Sequence, residues 1–275
     1  TLGMSLYMPE YCVGKHSISM MSEWVDHFFK PSNMTVVGVG VDHEIFVHDL
    51  QQQFKWGREG AAPVPEKKTA TYHGGEKRIN TDSELVHAAV VTEGADLGSK
   101  DMLPLALLQH VMGTDSHIKY SNSVSTSKIT QALSKASANP FAASSINMNY
   151  SDSGLFGFYL VSHFHDAGKN LRAVIGHFNA ATKGSISDTD LARAKAQLKA
   201  EISMGLEDSR SLAEEMGAQV AATGQFLHGK EVDAAIDKVS AADVQSVAKK
   251  VINGKPSMAV IGNLAETPYM DELLK

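Results

Sequence analysis

Cysteine occurs once in 275 residues, at Cys12. That excludes an intrachain disulfide and any metal knuckle made from several thiolates, and Cys12 lies in a Pro- and Tyr-flanked loop with no evident catalytic partner. No stretch approaches the roughly 18 uninterrupted apolar residues of a membrane-spanning helix. Basic residues are outnumbered, 25 against 31 acidic, for a net charge of −6. The chain therefore has no electrostatic footprint for nucleic acid. A Gly-x-Ser-x-Gly nucleophile elbow is missing as well. The sequence opens at Thr1 with no initiator Met, basic leader or apolar signal core, so the expectation is a processed or partial chain.

What remains is ordinary globular composition, 43% hydrophobic and 20% charged, long enough for one large domain with part of another. The most informative stretch is Tyr150 to Leu160. Ahead of it, Ile146, Met148 and Tyr150 alternate with polar residues, and after it Phe156, Phe158 and Leu160 do the same. Two strands joined by Ser151, Asp152, Ser153 and Gly154 read as a hairpin at the centre of a sheet, with Gly154 supplying a positive φ and with Gly154 and Gly157 permitting a tight turn and close packing.

Around this hairpin, helix patterns occur at about 16–29, 42–54, 100–112, 125–138, 167–183, 187–206 and 211–223. Ser17 is the expected N-cap of the first; Ser187 with Asp190, and Ser211 with Glu214, open the last two. Gly224 closes the final one. Leu85 to Thr92 reads as a strand apolar on both faces, hence central. Residues 56–71 are rich in Gly, Ala, Pro and charge and mark an interdomain linker.

The end of the chain repeats its beginning. Ser17, Met21, Trp24, Phe28, Met34 and Gly38 line up with Ser240, Val244, Val247, Val251, Met258 and Gly262. Each copy reads as a capped helix, a turn and a buried strand, so a domain has been duplicated. On this reading residues 1–55 are the terminal part of a truncated N-terminal half, and 72–275 form a complete second domain.

Twelve histidines give no metal-specific spacing. His43 and His48 stand five positions apart, which turns them about 140° from each other on a helix. His163 and His165 share one face at a strand end with Asp166 as the nearest carboxylate, and a solvent-facing pair is the simpler reading. His87 and His110 read as hydrogen-bonded structural residues. The turn Val37-Gly-Val-Gly40 lacks the third glycine of a dinucleotide fingerprint.

The run from Ser151 through Asp152, Ser153, Gly154, Leu155 and Phe156 to Gly157 resembles a signature of the pitrilysin-type zinc peptidase family. It is most similar to the branch that holds processing peptidase α subunits and core subunits of the mitochondrial cytochrome bc1 complex. Tyr72 to Glu76, Leu85 to Ala89, Gln109 to Gly113 and Gly262 to Leu264 follow in family order. The family's zinc motif, His-x-x-Glu-His, occurs nowhere in the 275 residues. Residues 113–126 contain one glycine, Gly113, and resemble the degenerate loop of a core subunit more than the glycine-rich loop of the processing enzyme. β-type relatives are less similar, carrying a Trp where this chain has Phe156.

The resemblance implies an α+β fold, a largely antiparallel sheet with helices on one face. It implies a non-catalytic structural subunit of ubiquinol–cytochrome c reductase, without catalytic residues, cofactor or metal. Its partners would be core protein 1 and other bc1 subunits, and its place the matrix side of the mitochondrial inner membrane, peripheral through the complex. A substrate-binding processing peptidase α subunit, or an active zinc peptidase, stays open as an alternative.

Overall fold

A computed structural model describes residues 6–31, 34–53, 70–114, 127–184 and 186–273. Most of the expected linker, and the glycine-poor loop beyond Thr114, lie outside these residues. The chain divides into two compact units, residues 1–70 with 204–226 and residues 71–203 with 227–275.

The first unit holds α1 (Ile18–Phe28) and α2 (His43–Gln53). It also holds α7 (Ser209–Thr223). As expected, Ser17 caps α1, accepting from the Met20 amide at 3.3 Å. Asp42 caps α2 by accepting from the Glu44 and Ile45 amides, both at 3.0 Å. The cap of α7 differs from expectation. Asp208 accepts from the Ser211 amide at 2.9 Å, while Glu214 pairs with Arg210. Both candidates fit the spacing; a cap at Asp208 starts the helix at Ser209, which places Ser211 inside its first turn. Gly224 ends α7 in the left-handed conformation, φ 77°.

The second unit is a five-stranded sheet under a helix layer. Its strands are β1 (Gly75–Asn80), β2 (Leu85–Glu93), β3 (Phe141–Asn149), β4 (Gly154–His163) and β5 (Ser257–Gly262). They lie in the order β1-β5-β2-β4-β3, with β1 and β5 parallel and every other pair antiparallel. β2 is central, as its two apolar faces require. The hairpin is central only in β4, since β3 is an edge strand. Edge strand β1 escapes the periodicity rules because its sequence, GEKRIN, is polar.

The helices are α3 (Met102–Met112), α4 (Lys128–Ala136), α5 (Ala167–Thr182) and α6 (Asp188–Gly205). After them come α8 (Gly229–Lys238), α9 (Ala241–Asn253) and the short α10 (Met270–Leu273). The core forms where one sheet face meets this layer. Val86, Ala88 and Val90 of β2, with Phe156, Phe158 and Leu160 of β4, are buried against Leu171, Val174 and Phe178 of α5 and Val244, Val247 and Val251 of α9. Ala88 sits opposite Leu160 on one side and Val260 on the other, so alternation places all three on the same buried face.

The repeated unit behaves differently in its two copies. Ser240 caps α9 in a reciprocal box with Asp243, the two amide bonds being 2.9 and 3.3 Å. Val244, Val247 and Val251 are then 0, 2 and 6% exposed, and Met258 of β5 is 2% exposed. In the first copy Trp24 and Phe28 are 56 and 40% exposed, and residues 34–38 form no strand. The expected buried strand there is corrected. A strand needs a neighbour for its backbone groups, and all five described strands lie in the second unit.

Because α9 packs on the core, its cap bears on global stability. Ser240→Ala is expected to lower the unfolding free energy by about 1 kcal/mol, read from urea denaturation followed by circular dichroism.

Candidate functional site

The hairpin bearing Ser151 to Gly157 is built for close approach. β3 ends at Asn149 and β4 begins at Gly154, and the Tyr150 amide donates to the Ser153 carbonyl at 2.8 Å. The expected positive φ at Gly154 is not found. Glycine is required for room instead: a Cβ there would collide with the Ala95 carbonyl and lie 2.8 Å from the Ala95 nitrogen. Asn149 Nδ2 donates to the same carbonyl at 2.7 Å. At Gly157 a Cβ would strike the Val90 carbonyl and lie 2.7 Å from Val91 Cα. Leu155 is half-buried and Phe156 is buried, its ring edge-on to Phe178 at 6.2 Å. Ser151, Asp152 and Ser153 occupy the tight connection, with Ser151 exposed and its two neighbours half-buried.

The other segments that carried the resemblance also serve strand junctions. Tyr72 Oη donates to the Val91 carbonyl at 3.0 Å and bonds Ser257 Oγ at 2.6 Å, tying β2 to β5 ahead of β1. Burial raises the Tyr72 phenol above its usual value despite the bond from Ser257. Gln109 Nε2 donates to the Ser145 carbonyl at 3.2 Å, and the Ser145 amide donates to Gly113 at 2.8 Å. Together these two bonds cover part of edge strand β3. The Leu264 amide donates to Asn80 Oδ1 at 3.2 Å, which holds the chain beyond β5 to the end of β1.

Several of the histidines make structural contacts. His87 Nδ1 and Tyr159 Oη lie 2.6 Å apart on the sheet face away from the helices. His110 Nε2 is 3.4 Å from Glu201 Oε2, and burial holds its imidazole below the ordinary value against the pull of that carboxylate. His163 and His165 stack at 5.3 Å and are not joined by Asp166. The Asp166 carboxylate turns inward to accept from Ser137 Oγ at 2.9 Å and Asn139 Nδ2 at 3.0 Å. Burial pushes that carboxyl up, but these bonds outweigh it and hold it below the usual range. His165 pairs instead with Glu266 at 3.0 Å. His48 on α2 pairs with Asp49. Among the described residues no group of three or more His, Cys, Asp or Glu could hold a metal ion, and no helix is long and apolar enough to cross a membrane.

Two charged clusters could not be read from local pattern alone. Asp190 was legible as half of a capping box with Ser187, whose hydroxyl donates to it at 2.8 Å. It also accepts from Lys128 of α4 at 2.8 Å and Arg193 at 2.9 Å, so it joins two helices. Arg78 and Glu76 on the unforeseen strand β1 grip residues 267–270. Distant residues meet in both clusters, and spacing carries no trace of them.

Comparison with known proteins agrees with this arrangement. A family profile described as the peptidase M16 inactive domain matches residues 17–198. The rat cytochrome b-c1 complex subunit 2, mitochondrial, is 39% identical over 99% of this chain, which spans 59% of that protein. The mitochondrial-processing peptidase subunit alpha-2 of Dictyostelium discoideum is 29% identical over 99% of this chain, which spans 60% of that protein. A chain in the solved structure of Candida albicans complex III2 with Inz-5 bound superposes with a TM-score of 0.77 at 19% identity, over 85% of this chain and 56% of that one; this likeness shows the fold. The profile covers well over half of the sequence, and the chain belongs to the M16 peptidase family, in the part described as its inactive domain.

Proposed function

We propose that this chain is a non-catalytic core subunit, the second, of mitochondrial ubiquinol–cytochrome c reductase, and that it supports assembly of the complex. The observation that carries this reading is the 39% identity to the rat b-c1 subunit 2 along 99% of the chain. The geometry supports it too, because every segment of the signature serves strand junctions or packing. The proposal places the protein on the matrix side of the inner membrane, peripheral through its complex, beside core protein 1 and other bc1 subunits. Residues 1–55 then end one peptidase-like half, and 72–275 supply the second.

The test is depletion of the protein in mitochondria of its source. Assembled complex, read on native gels, and quinol–cytochrome c reductase activity should both fall severalfold and recover on re-expression. Normal assembly without the protein overturns the proposal. So does its purification with a processing peptidase β subunit and a presequence peptide but no bc1 subunits, which would mark it as the processing α subunit.

A further inference from the structure

Beyond β5 the chain returns across the second unit as a strap whose inner side chains are buried: Thr267, Met270 and Leu273 are 5, 8 and 7% exposed. Asn80 holds the chain at Leu264, and over residues 266–273 the attachment to β1 is concentrated in two residues. The Arg78 guanidinium donates to the Thr267 carbonyl at 2.8 Å and the Pro268 carbonyl at 3.1 Å, and lies 4.2 Å from the Tyr269 ring centroid. Glu76 pairs with Arg78 at 2.9 Å and accepts from the Met270 amide at 3.1 Å. Both side chains are largely shielded, at 17 and 22% exposure, so these are charge-assisted bonds in a partly dry setting. Met270 forms one wall of an apolar pocket whose other walls include Phe156, Phe158, Phe178, Val251 and Pro256. One group works against this seating: Thr267 Oγ1 is buried with no hydrogen-bond partner, which penalises the closed position.

We propose that residues 266–273 form a strap that opens as a unit while the sheet stays folded, with Arg78 and Glu76 as its latch and Met270 as the movable wall of the apolar pocket. Opening frees the two carbonyls to water and exposes the apolar side chains that Met270 covers. The exposed His165–Glu266 pair at the head of the strap adds little to the latch, because a solvated ion pair is weak. The local free energy of opening is thus set by this latch and by the burial of Met270 and Leu273 at the margin of the core, and lies below that of the core strands.

Native-state hydrogen exchange of the protein tests this. Arg78→Ala should speed exchange of the bonded amides of Thr267, Tyr269, Met270, Glu272 and Leu273 at least tenfold, while amides of β2 and β4 keep their protection. An apolar fluorescent dye should bind that variant and not the parent. Thr267→Val removes the orphan hydroxyl at nearly constant shape and should slow strap exchange severalfold. The proposal is overturned if Arg78→Ala leaves strap exchange unchanged, or if strap and core amides lose protection together. Should Arg78→Ala fail to fold, strap exchange in Thr267→Val that is no slower than in the parent overturns it as well.

Discussion

Gly157→Ala is expected to destabilise the second unit by about 4 kcal/mol, a single methyl group acting as an overpacking mutation at the most crowded point of the sheet. Gly157 of β4 stands between Val91 of β2 and Ile146 of β3. The atoms an added Cβ would meet are the Val90 carbonyl and Val91 Cα. Those are backbone atoms, which no rotamer change can move. Relief requires parting β2 from β4, and that opens the layer where Phe156, Phe158 and Leu160 are buried. Gly176 on α5 is the control: it is exposed, and a Cβ there meets nothing within 4 Å. Gly176→Ala should stabilise by about 0.5–1 kcal/mol, as alanine does in a helix interior. Urea unfolding of the two variants decides the matter, and a Gly157→Ala midpoint equal to that of the parent would show that the strands can spread freely.

Asp190→Ala is expected to cost about 3 kcal/mol at neutral pH, because it strips the partner from charges that are only partly solvated. The Asp190 side chain is 10% exposed, and those of Lys128 and Arg193 are 28 and 27%. Burial pushes its carboxyl up, yet the bonds from Lys128, Ser187 and Arg193 prevail and hold it well below its ordinary value of 3.8. Folded Asp190 therefore binds a proton less readily than unfolded Asp190. Its stabilisation is complete above the unfolded value and is lost as pH falls toward the folded one. Asp190→Asn keeps the shape and removes the titration. The stability gap between parent and Asp190→Asn should thus stay constant from pH 7 down to about 5 and shrink below about 4. A gap that widens in acid would contradict the network described.

Local chemistry made much of this fold readable. Helices were visible where a cap precedes a 3.6-residue apolar period, as at Ser17, Ser187 and Ser240. The hairpin was visible because apolar alternation brackets a polar turn. β1 was not, because Glu76, Lys77, Arg78 and Asn80 carry no apolar alternation; the strand exists because β5 offers it a parallel partner. The role of Gly154 was legible only in part: the close packing is there and the positive φ is not. Turn chemistry suggests positive φ, whereas the constraint comes from Ala95, far away in sequence. Asp190 was half visible, its bond to Ser187 being local and its bond to Lys128 not.

The duplicated unit separates the two kinds of information most cleanly. By itself the sequence determined both helices, α1 and α9, since a serine cap and an apolar stripe act within a few residues of each other. Whether the stripe is buried, and whether the segment after it becomes a strand, only the tertiary structure decided. Val247 meets a core and Trp24 does not; Met258 finds β1 and β2 on its flanks, and Met34 has no strand beside it among the described residues. The physical reason is that a helix satisfies its own backbone, while a strand must borrow its hydrogen bonds from a neighbour that sequence proximity does not supply.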